Sequence, residues 1–271
     1  MEAPHPGRAP AAHAVPGAAR RCARLALLVL MAWTPLACLG APPRHDLHGR
    51  EPYLVILGTA QDGGLPQLGC TRTCCETARR EPARRRLTTA VLLADPSSGR
   101  RWLFDAGPDL PALLERARPH PPGRVTPAGR PAPFDGVFLT HAHMGHYVGL
   151  AHLGREAYGA EGQLVHASAS MAAFLRTNGP WSQAVQLGQL VLQELTPHEP
   201  RVLATHEDGT PRLSVVARTV PHRDEFSDTL AFTVQRHDAR GRVTWRALYV
   251  PDIDKWSRLD EPLSTWLEGV D

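Results

Sequence analysis

Short apolar runs recur along most of the chain, many of them closed by glycine, proline or aspartate. Tyr53–Gly58 (YLVILG) predicts a strand that enters the glycine-rich stretch TAQDGGLPQLG. TTAVLLAD (88–95) and RWLFDAG (101–107) predict two strands joined by the turn sequence PSSG. PDLPALLERA carries apolar residues at Leu110, Leu113 and Leu114 and predicts a helix opened by proline. Residues 118–133 hold six prolines and read as a loop. GVFLT (136–140) predicts a strand and YVGLAHLGREAYG a helix, followed by the strand QLVHA and the helix SASMAAFLRTNG. Three further strands, LSVVARTV, TLAFTVQ and RVTWRALYV, precede a last helix predicted over KWSRLDEPLSTWLEG. Strands arranged first in hairpins, with helices interspersed later, define an α/β (α+β) fold rather than a bundle.

The first 49 residues depart from this pattern. Residues 1–19 are rich in proline, alanine and glycine, a composition that buries too little apolar surface to fold. Arg20, Arg21 and Arg24 then precede the apolar run Leu25–Trp33 and a small-residue stretch ending near Cys38. This is the layout of an export signal. The run is shorter than the roughly 20 residues a membrane span needs. The chain is therefore expected to divide into a signal or disordered segment, 1–49, and a folded domain, 50–271. The expected location is outside the cytoplasm: periplasmic, secreted, or held at a membrane by the segment itself or by a lipid on Cys38.

With 271 residues and a formal charge of only +3, the chain has no basic stripe interleaved with aromatics, which excludes nucleic acid as the expected partner. A small-molecule substrate is expected instead. The candidate chemistry lies in THAHMGH (140–146), where His141, His143 and His146 fall within six residues at a strand end. Period-two alternation places His141 and His143 on one side of the chain. Imidazoles converging on one point suit a transition metal, zinc first, with iron or manganese as alternatives.

The histidine stretch resembles the H-x-H-x-D-H motif of the metallo-β-lactamase superfamily. The segments VILGTAQDGGLPQLGC, RWLFDAGPDL, NGPWSQ, VPHRDEFSDTLAF and YVPDIDKW, taken in order with it, resemble the branch related to protein B of pyrroloquinoline-quinone biosynthesis. The resemblance implies a metallo-β-lactamase-like αββα sandwich. It also implies one metal site built from His141, His143 and His222, with Asp252 as a bridging carboxylate; Asp254 is the alternative for that position. Asp252 and His146 are the implied catalytic residues.

Two departures bear on this expectation. Gly145 stands where the motif has its aspartate, a ligand of the second metal. The chain ends at LEGVD, before the place where the superfamily carries a further strand and a last histidine ligand, so the expected fold is truncated at its C-terminus. His146 and Asp252 alone are then expected to hold a second metal poorly. Cys70, Cys74 and Cys75 form C-x-x-x-C-C rather than the C-x-C-x-x-C with which the resembled families often hold a structural zinc. Structural metal, disulfide and plain thiols all stay open for them. Asp62 and Asp105 read as turn and hydrogen-bonding residues.

The activity implied is metal-dependent hydrolysis of an ester, amide or phosphodiester, because bound zinc brings the pKa of water to about 7. Two alternatives differ in class: a metal oxidoreductase like some cofactor-biosynthesis members, and a degenerate relative that binds metal without catalysis.

Overall fold

The computed structural model describes Gly49 and residues 51–121 and 130–271. The export segment expected from Arg20 to Cys38 lies outside the described residues. Among the described residues no helix is long and apolar enough to cross a membrane.

Ten strands form two sheets. The first sheet runs β1 (Tyr53–Gly58), β2 (Ala90–Asp95), β3 (Arg100–Phe104), β4 (Gly136–Phe138), β5 (Gln163–Ala167) and β6 (Leu190–Glu194) in spatial order. Its β1–β2–β3 part is antiparallel, and β3 to β6 are parallel. The second sheet has the order β10 (Val243–Tyr249), β9 (Leu230–His237), β8 (Pro211–Thr219) and β7 (Pro200–Thr205), all antiparallel.

Alternation explains the facing surfaces. On β8, Leu213, Val215 and Ala217 are buried and share one apolar cluster with Trp102, Phe104 and Phe138 of the first sheet, as period two requires. Phe104 stacks on Phe138 at 5.0 Å, and Phe232 from β9 meets both rings at 5.6 and 5.5 Å. Arg212 of β8 also donates to the buried carboxylate of Asp95 at the end of β2, a second tie between the sheets.

Helices cover both outer faces. α2 (Leu110–Ala117) buries Leu110, Leu113 and Ala117, one stripe of a 3.6-residue period. α4 (Ala169–Thr177) begins at Ser168, whose Oγ accepts from Met171 N at 3.2 Å. α2, α4 and α5 (Trp181–Gln186) pack on the first sheet through a second apolar cluster, which includes Trp181. A third cluster sets Trp266 and Leu263 of α6 (Leu263–Trp266) against Ala231 of the second sheet and Val220, which follows β8. The four layers are those of an αββα sandwich.

Two expectations for elements need correction. The helix expected over 147–159 is a single turn, α3 (Met144–Tyr147), followed by a 3-10 segment, Val148–Leu153. There Gly149 N bonds Ala106 O at 2.9 Å, and a Cβ on Gly149 would lie 2.1 Å from Gly107 O, so backbone is pressed on backbone. The expected last helix is broken by Pro262 into a 3-10 turn, Trp256–Arg258, and the one-turn α6. α1 (Thr73–Arg80), α5, β6 and β7 carried no expectation. β10 is an edge strand. Asp271 N reaches its outer side at Arg246 O, 3.0 Å, and Asp271 Oδ2 accepts from Arg246 N at 2.9 Å.

Candidate metal centre

The centre lies where the ends of the two sheets meet. His141 and His143 follow β4, His222 follows β8, and Asp252 follows β10. Among the described residues these four form a group whose donor atoms all lie within 4.8 Å of one another. His141 Nε2 is 2.9 Å from His143 Nδ1, which is 3.2 Å from His222 Nε2. Asp252 Oδ2 is 3.5 Å from His141 Nε2 and 3.4 Å from His222 Nε2. Donors about 2.0–2.1 Å from a tetrahedral zinc are spaced by roughly 3.3 Å, which these separations match.

The far side of each ring fixes which nitrogen faces inward. Thr140 Oγ1 donates to Asp105 Oδ1 at 2.9 Å and is 3.0 Å from His141 Nδ1. The hydroxyl therefore accepts from His141 Nδ1–H and leaves Nε2 as a lone pair. His143 Nε2 lies 2.9 Å from Glu225 Oε2, so that nitrogen carries the hydrogen and Nδ1 is the lone pair. In the neutral rings the two inward nitrogens, 2.9 Å apart, are the lone pairs that a cation between them would take up. Arg223 Nη2 reaches His143 Nδ1 at 3.4 Å from the rim. His222 Nδ1 is buried without a hydrogen-bond partner among the described residues.

Asp105 organises this side of the site. It is fully buried, lies in the left-handed region with φ +62°, and accepts from Thr140 N at 2.9 Å, His146 Nδ1 at 2.8 Å and Tyr249 OH at 2.9 Å. Aspartate tolerates that backbone conformation better than most residues. The carboxylate consequently aims His146 Nε2 toward Asp252 Oδ2, 3.5 Å away, and toward Asp62 Oδ1, 3.6 Å away.

Electrostatics separate the imidazoles. Burial, reinforced by His146 and His143, pushes His141 down to about 2, so it is neutral. Burial also lowers His222. Burial alone would lower His146 as well, but the Asp105 carboxylate, helped by Asp252, outweighs it and raises the ring to about 10. Interaction with His146 holds Asp252 at about 2 against the opposing effect of burial. The neutral imidazoles of His141 and His222 beside the ionised Asp252 are the forms that metal ligation requires, whereas His146, protonated in the absence of metal, would give up its Nε2 proton to a cation.

The structure thus brings together His141, His143, His222 and Asp252, with His146 beside them. Asp254 turns away to pair with Arg258. Trp181 packs near Tyr147 and Phe174, at 4.8 and 6.3 Å, in the apolar cluster rather than against the donors. The three cysteines of the 70–75 segment are free thiols. Asp105 has the hydrogen-bonding role expected of it; the parts that Glu225, Tyr249 and Asp62 play at the centre were not anticipated. For Glu225 and Asp105 the signal was only a carboxylate near a motif histidine or at a strand end.

A cleft of ≈ 1310 Å³ opens on the centre. His146, His222 and Asp252 line its floor, and Arg72, Arg86 and Arg223 lie along its walls.

Comparison with known proteins agrees with this architecture. The family described as beta-lactamase superfamily domain matches residues 100–271. The chain belongs to that superfamily, and its donor-bearing loops at the sheet ends fit the metallo-β-lactamase fold. Within the superfamily it resembles coenzyme PQQ synthesis protein B (PqqB). It is 31% identical to that protein from Rhodopseudomonas palustris over 237 residues, covering 80% of this chain and 70% of the relative. It is 37% identical to that of Methylobacterium radiotolerans over 99 residues, 36% of this chain and 32% of the relative. The latter match spans about a third of the relative's length. The crystal structure of zinc-bound PqqB from Methylobacterium extorquens superposes with a TM-score of 0.61 at 21% identity, covering 82% of this chain and 71% of that one; at that identity the likeness concerns the fold.

Proposed function

We propose that the protein is a metal-dependent hydrolase acting on a small ester, amide or phosphodiester, with zinc held by His141, His143 and His222, the Asp252 carboxylate beside it and one position open to water. The observation that carries this reading is the convergence of one donor atom each from His141, His143, His222 and Asp252, all within 4.8 Å of one another, with that carboxylate ionised. Zinc, when bound, supplies a water of pKa about 7 and polarises the oxygen of the scissile group. The chain's own part follows from its residues. Asp252, ionised through the neutral range, orients the attacking water and accepts its proton. His146, its Nδ1 fixed by Asp105, presents Nε2 to the substrate side of the cleft. Arg72, Arg86 and Arg223 favour a substrate carrying phosphate or carboxylate, since like-signed walls concentrate the opposite charge.

The test is metal analysis of the purified protein combined with a panel of phosphodiester, lactone and β-lactam substrates. The expected result is zinc-dependent turnover of one class, abolished in His141→Ala and reduced at least about 100-fold in Asp252→Asn, the loss of a group acting on the reacting proton. A zinc-loaded, folded protein inert toward the whole panel would overturn the reading.

Relatedness to PqqB favours a second reading, a metal oxidoreductase in cofactor synthesis, since the same nitrogen and oxygen donors accept iron. Oxygen consumption by iron-loaded but not zinc-loaded protein separates the two. The basic cluster at 20–24 and the apolar run after it support export, which N-terminal sequencing of the mature chain checks; a start near residues 38–45 is expected.

A further inference from the structure

Gly145 leaves the histidine motif without its carboxylate, yet the space that carboxylate would fill is occupied. A Cβ built on Gly145 would lie 2.0 Å from Asp62 Oδ1, 2.8 Å from Asp62 Cγ and 2.9 Å from Asp62 Cα. No side chain at 145 is compatible with this placement of the 59–64 loop. Glycine is therefore required here by the approach of a different aspartate. Asp62 reaches it from the turn after β1, in which Gly64 N bonds Gln61 O at 2.8 Å and Gly64 takes φ +69°, a conformation suited to glycine.

The position of Asp62 relative to the other donors is the second observation. Its Oδ1 is 3.6 Å from His146 Nε2, on the nitrogen that Asp105 leaves free by bonding Nδ1. Asp252 Oδ2 is 3.5 Å from the same His146 Nε2, while it stands 3.5 and 3.4 Å from His141 and His222. One carboxylate oxygen is thus equidistant from the His141/His222 side and from His146. An oxygen placed in this way can serve two cations, as in paired-metal sites about 3.5–4 Å apart. Spacing in the sequence leaves His146 with Asp252 alone; the fold adds a third donor.

We propose that Asp62, His146 and Asp252 form a second divalent-cation site, in which Asp62 supplies from the β1–α1 loop the carboxylate that residue 145 does not carry. The site rests on the first centre of His141, His143 and His222, with which it shares Asp252. One nitrogen and two carboxylate oxygens leave positions for water or a substrate oxygen, so the second cation is an exchangeable one, in the class of zinc or manganese.

The test is zinc titration of metal-free full-length protein by competition with a chromophoric chelator, with metal content measured after gel filtration in buffer of defined free zinc. Wild type is expected to bind two ions per chain in two steps. Asp62→Asn, nearly isosteric, is expected to keep the first step and to weaken the second at least about 10-fold, as losing a charged donor predicts. Should Asp62→Asn fail to melt cooperatively, Asp62→Ala serves, since the side chain is 42% exposed and little packing is removed. A second step of unchanged affinity in a folded Asp62 variant overturns the proposal, and so does wild type binding a single ion. Wild type that binds no zinc overturns the first centre as well. Two ions with the Asp62 dependence but no hydrolysis would overturn only the hydrolase reading.

Discussion

Two loops of this protein are crowded with metal-type side chains, and they behave differently. In the histidine loop after β4, nitrogens of His141 and His143 come within 2.9 Å, and residues distant in sequence, His222 and Asp252, complete the group. In the cysteine loop before α1, the thiols form no such group among the described residues: Cys74 is exposed, Cys75 is buried with Gln67 N donating to its sulfur at 3.4 Å, and Cys70 lies ahead of the helix. The difference lies in what surrounds the donors. Each ring of the histidine loop is held from behind by a hydroxyl or carboxylate, and the loop closes onto the ends of two sheets. Successive positions on α1 leave the helix about 100° apart, and no carboxylate or imidazole of another element joins the cysteines in a donor group among the described residues.

The largest expected effect breaks the histidine side of this contrast. His141→Ala removes a buried donor that is 1% exposed. Zinc affinity should fall by more than the roughly 10–100-fold typical of losing an outer partner. Zinc at 100 times its Kd stabilises a folded protein by about 2.7 kcal/mol. That gain should appear in thermal melts of wild type and vanish in the variant or on adding chelator. A variant retaining the full zinc-dependent rise in Tm would remove His141 from the centre.

Next in size is Asp105→Asn. The substitution keeps the volume but removes the charge that raises His146 and accepts from Thr140, His146 and Tyr249. An amide nitrogen cannot accept, so at least one of those donors is left unpaired, at about 1–3 kcal/mol. Zinc binding should weaken by about 10–100-fold while His141, His143 and His222 all remain. Chelator competition measures this, and unchanged affinity would reduce Asp105 to a backbone-turn residue.

Glu225→Gln should act less strongly. Glu225 holds His143 from a side chain that is 47% exposed, where solvent screens the interaction. A glutamine oxygen still accepts the hydrogen bond, so a drop near the lower limit, about 10-fold or less, is expected. A loss as large as that of Asp105→Asn would mean that exposure is a poor guide to how firmly a ring is held.

What the sequence made legible follows the same division. β8 and β9, whose core residues recur at every second position (Leu213, Val215, Ala217; Leu230, Phe232, Val234), and the helices with an apolar stripe, α2 and α4, were visible because one periodicity runs through each. β6 and β7 were not, since their burial mixes buried, partial and exposed positions without alternation. The helix expected over 147–159 failed because Gly149 is there for backbone contact with residues 106 and 107, a tertiary demand that local pattern does not carry. At the centre, His141 and His143 follow from spacing, and His222 and Asp252 from the resemblance to a superfamily. Asp62 was legible from neither. Its approach to Gly145 spans more than eighty residues and depends on where the β1–α1 loop is laid, and a glycine in a motif reads as a loss when only the motif is seen.

The smallest expected effect concerns the cysteine side and sharpens the contrast by showing nothing. Cys70→Ser with Cys74→Ser removes two thiols without touching the buried Cys75. If the cysteine loop held a structural metal, at most three thiolates would be available in it, and the loss of two would release the ion, with destabilisation on the scale of a structural zinc site. The thiols instead belong to no group of metal-type donors among the described residues, and Cys74 stands in solvent. Zinc content should therefore match wild type to within about 2-fold, and stability should change by no more than about 0.5 kcal/mol, as for ordinary surface substitutions. The same experiment bears on the cleft, because Cys70 and Cys74 lie on its wall near Arg72: turnover can shift through substrate contacts while metal content stays fixed. Loss of one zinc per chain in the double variant would mean that the loop gathers its thiols around an ion after all.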